Sequence, residues 1–170
     1  TNKSADATRK TIFLKNGKYT YGTLTGNYQH NVSLYLDNWN HIYLYDVQPD
    51  RKGRMARPRQ VTRGEWVVRQ IQHVDEPNRT IYFSASGMNK DEDPYLVHYY
   101  KIGFDGKGMT CLTPAEGNHS VVFSPDYKYL ADTYSKADTP PVTELRSADD
   151  GHLIKTLERA DISPREANGR

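Results

Sequence analysis

Apolar and polar residues alternate with a period of two along most of the chain. In residues 41–47, Tyr43 and Tyr45 share one face while Ile42 and Leu44 share the other. This is the pattern of a β-strand that is apolar on both sides. Similar runs predict strands at 11–14, 18–25, 32–36, 41–47, 66–74, 80–86, 95–104, 108–113, 120–124, 129–135, 142–147 and 153–158. No long amphipathic helix is predicted, so the predicted fold class is all-β.

Turn-forming residues separate these runs. Asn16-Gly17 and Asp105-Gly106 are tight-hairpin signals, because both dipeptides adopt positive φ at low cost. Longer polar breaks lie at 75–78, 124–126, 138–141 and 149–151. The chain therefore reads as a series of short antiparallel strands joined by short loops.

The strands also repeat. The sequence HIYLY at 41–45 is matched by HYYKI at 98–102, and the Val61-Thr62 pair ahead of GEWVV is matched by Leu112-Thr113 ahead of EGNHSVV. A unit of about fifty residues with four short strands is typical of a β-propeller blade. We therefore predict a β-propeller fragment of about three four-stranded antiparallel blades.

The predicted blades are residues 10–64, 65–114 and 115–160, with a polar arm at 1–9 and a tail or linker at 161–170. The first blade is long, and residues 27–36 are interpreted as an inserted hairpin. Closed propellers have about four to eight blades, so three blades predict a piece of a larger propeller. Such a piece has open blade edges, and we expect it to form homo-oligomers through them.

Charge and hydropathy exclude some partners. The net charge of +2 over 170 residues gives no general attraction to nucleic acid or membrane. The basic run at 51–59 could bind a phosphate backbone, but it lacks interleaved aromatic residues, and a solvated loop is the favoured interpretation. No apolar run is long enough to span a bilayer, and the first ten residues contain no apolar segment that would predict a signal peptide.

Few residues suggest catalysis. A single cysteine, Cys111, excludes an internal disulfide and a multi-thiolate zinc site, and the six histidines have no metal-ligand spacing. The sequence FSASG at 83–87 lacks the first glycine of a nucleophile elbow and continues a strand. We therefore predict neither a cofactor nor catalysis by this segment alone.

Trp39 and His41 admit two interpretations. As a functional pair they would stack on a ligand and hydrogen-bond to it. As structural residues, Trp39 would cover a blade edge while His41 bonds a backbone carbonyl or a carboxylate at a corner of the blade. Because similar histidines recur at His98 and His119, the structural interpretation is favoured.

Several motifs occur in an order and spacing that resemble a known family. They are DNWNHIYLYD at 37–46, VTRGEW at 61–66, IYFSA at 81–85, LT at 112–113, GNHSVVFSPD at 117–126, KY at 128–129 and DTYS at 132–135 followed by PP at 140–141. Together they resemble the N-terminal β-propeller domain of the dipeptidyl peptidase IV family, in the prolyl oligopeptidase group of serine peptidases. The sequence departs from the family pattern at Asn38 and Tyr127, where the family often has glycine.

The resemblance implies a parent protein with a C-terminal α/β-hydrolase domain as the partner of this segment. Such parents remove dipeptides, sometimes tripeptides, from the N-termini of peptide substrates after proline or alanine. The resemblance also implies export to a bacterial envelope or periplasm. The alternative is a stand-alone propeller that binds a protein or ligand. No substrate-binding residue can be assigned, and the residues assigned to the structural blade motif are Asp37, Trp39, His41, Tyr43, Trp66, His119, Phe123, Tyr129 and Asp132.

Overall fold

The structure is a computed structural model that describes the backbone of residues 10–15, 18–24, 30–37, 39–46, 51–54 and 59–160. Side chains are described for residues 39–44, 51–54 and 59–160. The predicted arm at 1–9, the predicted tail at 161–170 and the Asn16-Gly17 turn lie outside the described residues. The chain divides into two compact units, Thr1–Thr110 and Cys111–Arg170.

Thirteen strands make up the described secondary structure, and the described residues contain no helix, which confirms the all-β prediction. The strands are β1 (Lys10–Lys15), β2 (Lys18–Leu24), β3 (His30–Asp37), β4 (Trp39–Asp46), β5 (Arg59–Gln60), β6 (Val67–Asp75), β7 (Thr80–Ser86), β8 (Val97–Gly103), β9 (Thr110–Cys111), β10 (Asn118–Phe123), β11 (Tyr129–Lys136), β12 (Thr139–Ser147) and β13 (Leu153–Arg159). No membrane-spanning helix is found among the described residues.

The strands form three sheets in which each strand lies beside its neighbour in sequence. The first sheet has the order β1-β2-β3-β4-β5, the second β6-β7-β8-β9 and the third β10-β11-β12-β13. The registers of the long strands are antiparallel throughout, for example Phe83 opposite Tyr100 and Asp132 opposite Glu144. This meander topology follows from the short connections, because antiparallel neighbours need only a hairpin.

Each predicted strand overlaps an observed one, and two local differences have simple causes. The strand β5, which has only two residues at the end of the basic run, was not predicted. Strand β12 begins three residues before the predicted strand at 142–147, because Pro140 and Pro141 are typical of a break. Both prolines lie where the pairing of β11 with β12 shifts register, so their missing N–H groups interrupt a ladder that is already irregular.

The hairpin predicted as an insertion at 27–36 lies partly outside the described residues. The described residues of that stretch lie in a single strand, β3, which pairs with β2 on one side and β4 on the other. The chain reverses between Asp37 and Trp39, which oppose each other across the turn. Residues 30–37 contain no glycine or proline, so nothing divides this alternating run into two strands.

The second sheet contains the most deeply buried strand. All residues of β7 from Ile81 to Ser86 are buried, and in β8 every second residue is buried, at His98, Tyr100 and Ile102. A strand that is buried on both faces lies inside a layered structure. The core of the second sheet therefore lies along β7 and one face of β8.

The third sheet has one buried face, and that face is rich in charge. Leu130 and Val142 are buried there, together with His119, Asp132, Glu144 and Arg146. On its other face Val122 is 70% exposed and Tyr129 47% exposed. Alternation in this sheet thus separates a buried polar network from an open surface.

The turn between β10 and β11 is formed without the glycine that the family often has. Tyr127 adopts a left-handed conformation with φ of 53°, and its ring stacks on Phe123 with centroids 5.1 Å apart. The Tyr127 amide donates to the Ser124 carbonyl over 2.9 Å, which closes the turn. The ring contact offsets part of the strain of a non-glycine residue at positive φ.

Candidate functional site

The first candidate site is a buried corner around His41 at the start of β4. The whole His41 residue is only 5% exposed. Its Nδ1 lies 3.1 Å from Thr62 Oγ1, and its Nε2 lies 2.9 Å from the Gly64 carbonyl oxygen. The Ile42 amide donates to the same Thr62 hydroxyl over 2.9 Å. This corner joins β4 to the segment that follows β5.

These contacts define a directed chain of hydrogen bonds. Thr62 Oγ1 accepts from Ile42, so its own proton is available for His41 Nδ1, while His41 Nε2–H donates to Gly64. The neutral tautomer with hydrogen on Nε2 satisfies this chain of hydrogen bonds. Burial lowers the pKa of His41, and the backbone hydrogen bond to Gly64 raises it by a smaller amount. The neutral ring and the direction of the pKa shift agree.

Gly64 has a conformation and an environment that require glycine. Its φ is 138°, and a Cβ atom added there would lie 2.2 Å from Nε1 of Trp66. The indole of Trp66 therefore occupies the space in which a side chain at position 64 would begin. This packing gives a physical reason for the glycine two residues before the tryptophan in the VTRGEW motif.

Trp66 connects the corner to a row of aromatic rings in the second sheet. It meets His41 edge-to-face, with centroids 5.0 Å apart and planes at 89°. Phe83 stacks on Trp66 at 6.3 Å and on Tyr100 at 5.7 Å. Aromatic pairs at these separations add about 0.5–1.5 kcal/mol each beyond their buried area. The row therefore stabilises the core of this unit.

His98 lies in β8 at the position that matches His41 in the sequence repeat. It is 3% exposed, and its Nε2 lies 2.8 Å from Glu92 Oε2. Glu92 comes from the acidic loop between β7 and β8 and also accepts from Asn89 over 3.0 Å. Glu92, one of the acidic residues of this loop, therefore makes structural contacts.

The third sheet contains the second candidate site, around His119 and Asp132. Both side chains are fully buried, and His119 Nδ1 lies 2.7 Å from Asp132 Oδ1. The other ring nitrogen lies 2.7 Å from the Ala115 carbonyl oxygen. Both partners have acceptor oxygens, so the ring is held between a buried carboxylate and a backbone carbonyl.

Arg146 and Glu144 extend this network along β12. Arg146 Nη2 donates to Glu144 Oε2 over 2.5 Å, and Nη1 donates to the Gly151 carbonyl over 2.9 Å. Arg146 Nε and Asp132 Oδ2 lie 3.5 Å apart without a well-aligned hydrogen bond, and neither atom has another hydrogen-bond partner. Arg146 thus lies between two buried carboxylates, those of Asp132 and Glu144.

Tyr134 borders the same network from β11. Its hydroxyl donates to Glu144 Oε1 over 3.3 Å, and its ring lies 5.1 Å from that of His119. Burial is the main cause that raises the pKa of Tyr134, and the negative charge of Glu144 raises it further. The phenol is thus held in its neutral, donating form.

The His119–Asp132 pair has the geometry of two members of a catalytic triad. In such a triad the second ring nitrogen faces the hydroxyl of a nucleophile. Here that nitrogen faces the Ala115 carbonyl instead. The arrangement can hold the β10–β11 hairpin in place. The ring nitrogen of His119 that would face a nucleophile is hydrogen-bonded to Ala115 instead.

The two corners share a local design that the sequence motifs partly reveal. Gly117 has φ of 148°, close to the value at Gly64, and a Cβ there would lie 2.9 Å from the Ser135 carbonyl oxygen. Trp66 and His119 each follow their glycine by two residues. Thr62 and Thr113, which precede the two glycines, are both buried. The sequence motifs contain these threonines and glycines, but none of them was predicted as a site residue.

The other predicted blade residues lie apart from these corners. The backbone of Asp37 ends β3, Trp39 is 42% exposed at the start of β4, and Tyr43 is half-buried. Phe123 and Tyr129 flank the β10–β11 turn, where Phe123 contacts Tyr127. The structure therefore brings together His41 with Trp66, and His119 with Asp132, but does not form one site from all nine residues.

Two further sequence features also have structural positions. Ser84 and Ser86 are buried in β7 and accept from Gln72 and Arg69. The basic run is exposed at 51–54, whereas Arg59 lies in β5 and donates to the Phe104 carbonyl over 2.9 Å. The last residue of the run thus belongs to a strand rather than to a solvated loop. Among the residues with described side chains, no three His, Cys, Asp or Glu are grouped as a metal site.

Comparison with known proteins identifies the family. The profile described as "Dipeptidyl peptidase IV (DPP IV) N-terminal region" matches residues 7–141. Dipeptidyl peptidase 4 of Arthroderma otae is 30% identical over 126 residues, which cover 72% of this chain and 15% of that protein. Dipeptidyl peptidase 4 of Trichophyton rubrum is 27% identical over 125 residues, with the same coverage.

A solved structure shows the same fold. The crystal structure of Porphyromonas gingivalis dipeptidyl peptidase 4 superposes with a TM-score of 0.57 at 24% identity, over 87% of this chain and 26% of that one. The chain spans about 15% of the length of the curated relatives that it matches. The predicted fold class is confirmed: the sheets belong to an all-β propeller fragment. The chain is a member of the dipeptidyl peptidase IV N-terminal region family.

Proposed function

We propose that this chain is a non-catalytic propeller segment of a serine-type dipeptidyl peptidase. The parent would remove N-terminal di- or tripeptides after proline or alanine, with the chemistry supplied by an α/β-hydrolase domain of the same chain. The match of the family profile to residues 7–141 is the observation that carries this proposal. The names of the relatives support a dipeptidyl peptidase activity for the parent.

The partners of the described histidines support a non-catalytic role. His41 is bonded to Thr62 and Gly64, His98 to Glu92, and His119 to Asp132 and Ala115. A general base must have a ring nitrogen within reach of the group that it deprotonates. In these three residues the rings take part in structural contacts.

In the parent, the propeller segment would form a wall that admits short peptides and excludes folded proteins. The support is mechanical: β7 is buried from Ile81 to Ser86, and the ring contacts from His41 to Tyr100 cross three strands. A rigid wall of this kind can shape access to a neighbouring active site. The peptide substrate would then contact loops rather than the packed sheets.

Two further properties of the parent and the segment are part of the proposal. The parent would be exported to a bacterial envelope or periplasm, which rests on the family resemblance and is tested by cell fractionation. The isolated segment would self-associate through open blade edges. Its edge strand β13 supports this with Leu153, Ile154 and Leu157, which are 48%, 43% and 51% exposed. Two register shifts in β13 bend that edge, so the association would be weak.

A stand-alone binding platform is the second candidate function. The observation that favours it is a cavity beside Trp66, which could take a ligand without any hydrolase domain. Fold alone does not decide between a peptidase segment and a platform.

The peptidase proposal is tested by labelling the full-length gene product with a fluorophosphonate, which reacts with activated serines. We expect one labelled serine, located by peptide mapping outside residues 1–170. Absence of labelling in a folded full-length protein would contradict the serine-type assignment. A label on Ser84 or Ser86 would contradict the non-catalytic role of this segment.

A further inference from the structure

A cavity of about 340 Å³ lies between the segment after β5 and the turn that follows β8. Its apolar lining comes from Val61, Trp66, Ile102 and Met109. Three of these side chains are buried, whereas Met109 is 47% exposed. Cavities of about 300–1,000 Å³ are typical of small-molecule sites, and this one combines an apolar wall with a polar one.

The walls are held together by contacts that leave little freedom. Arg59 Nη2 donates to the Phe104 carbonyl over 2.9 Å, which fastens β5 to the far wall. Gly106 packs so closely on Val61 that an added Cβ would lie 2.9 Å from the Val61 carbonyl oxygen. The threonine in the lining, Thr62, is fixed by its bonds to His41 and Ile42. The cavity is therefore formed before any ligand binds, which lowers the entropic cost of binding.

Two polar residues of the lining carry opposite charges and form no ion pair within the described residues. Arg63 and Asp105 both line the cavity and are exposed to solvent. Within the described residues, Arg63 has no ion pair, and Asp105 only accepts from the Lys107 amide through Oδ1. Gln60 adds an amide that can donate and accept. A cation and an anion that line one cavity beside an apolar wall are complementary to a small ligand that carries both charges.

We propose that this cavity binds a small zwitterion with an apolar side chain. The ligand carboxylate would pair with Arg63 and its ammonium group with Asp105, while its side chain enters the space between Ile102, Met109 and Trp66. A free amino acid and a dipeptide share this chemistry. The proposal does not depend on the peptidase activity proposed for the parent.

The test is an NMR titration of the 170-residue protein, with the two tryptophan indole N–H signals as reporters. Trp66 lines the cavity, and Trp39 lies outside its lining and serves as the internal control; the variant Trp39→Phe assigns the signals. L-leucine and the dipeptide Leu-Pro are the probes, and N-acetyl-leucine amide, which lacks both charges, is the matched control. We expect a saturable shift of the Trp66 signal with a Kd of about 1 mM, since exposed ion pairs contribute little.

Substitution of the two charges sharpens the test. Arg63→Gln and Asp105→Asn are each expected to weaken binding about threefold. The surface controls Arg159→Gln and Asp91→Asn should leave it unchanged. All four side chains are exposed, so the fold should survive, as dispersion of the NMR spectrum will show.

Saturation by only one probe identifies an amino acid or a dipeptide as the ligand class. No shift of Trp66 up to about 20 mM of either probe overturns the proposal. The same shift with the amide, or no weakening in either cavity variant, also overturns it.

Discussion

His41 and Trp66 meet edge-to-face with ring centroids 5.0 Å apart, and this contact joins β4 of the first sheet to the start of the second. Both nitrogens of the same imidazole are bonded to Thr62 and Gly64. One side chain therefore satisfies the polar groups of Thr62 and Gly64 and also packs on the row of aromatic rings. This dual role gives His41 a structural function.

Replacement of His41 by alanine should lower the free energy of unfolding by about 2–3 kcal/mol. The loss has two causes: the Gly64 carbonyl loses its buried donor, and Trp66 loses a ring contact. Urea denaturation measures the effect. His152→Ala is the control, because His152 is exposed and its ring is hydrogen-bonded to the exposed Asp150, so its cost should be below about 1 kcal/mol. An unchanged stability for His41→Ala would contradict the structural role.

Replacement of Gly64 by alanine should be at least as costly, with a loss of about 3 kcal/mol. The added Cβ would strike Trp66, and φ of 138° is unfavourable for any L-residue. Gly53→Ala is a matched control, because Gly53 has φ of 73° and nothing within 4 Å of an added Cβ. That variant should lose only about 1 kcal/mol, from backbone strain alone. Equal losses in the two variants would show that Trp66 does not enforce the glycine.

The strands were predictable because alternation is a local property of the sequence. Residues 41–47 and 80–86 give a period of two within one strand, and Asp105-Gly106 forms the expected turn with φ of 78° at Gly106. The two-residue strand β5 was not predictable, because Arg59 and Gln60 form a strand only through pairing with Leu44 and Tyr43. Short edge strands depend on their neighbour rather than on their own pattern.

The polar networks were only partly predictable for the same reason. The sequence motifs include His119 and Asp132. Arg146 and Glu144 lie beside these residues only because of the register of β11 with β12. Nothing in the residues 142–147 distinguishes these two charges from surface charges on a strand. Likewise, Arg63 and Asp105 are 42 positions apart in the sequence and line one cavity only in the folded chain.

Replacement of Asp132 by alanine should be severely destabilising, by about 3–5 kcal/mol. The change removes the carboxylate that faces both His119 Nδ1 and Arg146 Nε and leaves these buried polar atoms without that partner. Asp138→Ala is the control, since Asp138 is 79% exposed and its nearest cation is 3.8 Å away. Thermal unfolding followed by circular dichroism compares the two. A loss for Asp132→Ala no larger than for Asp138→Ala would contradict the buried network.

The stability of the chain should fall as the pH is lowered through the range in which histidine titrates. Burial lowers the pKa of His41 and of His73 in the folded chain below 6.5, the ordinary value. The unfolded chain then binds more protons than the folded one between the lowered pKa and 6.5. Stability is therefore fully present above pH 6.5 and is lost as the pH falls toward the lowered values.

Urea denaturation at a series of pH values from 7.5 to 5 measures this dependence. The variant His41→Gln removes one of the two titrating groups and should show a shallower decline. A decline as steep as that of the unmodified chain would mean that His41 does not contribute. Stability that rises on acidification over this range would contradict the direction of both pKa shifts.

The most direct test of the central claim is hydrolysis of a chromogenic Gly-Pro amide by the full-length gene product, with the 170-residue chain assayed beside it. We predict release of the chromophore by the full-length protein and none by the chain alone. This result would confirm a peptidase whose propeller segment is described above. Activity in the isolated chain would contradict its non-catalytic role, and inactivity of a folded full-length protein would contradict the peptidase assignment.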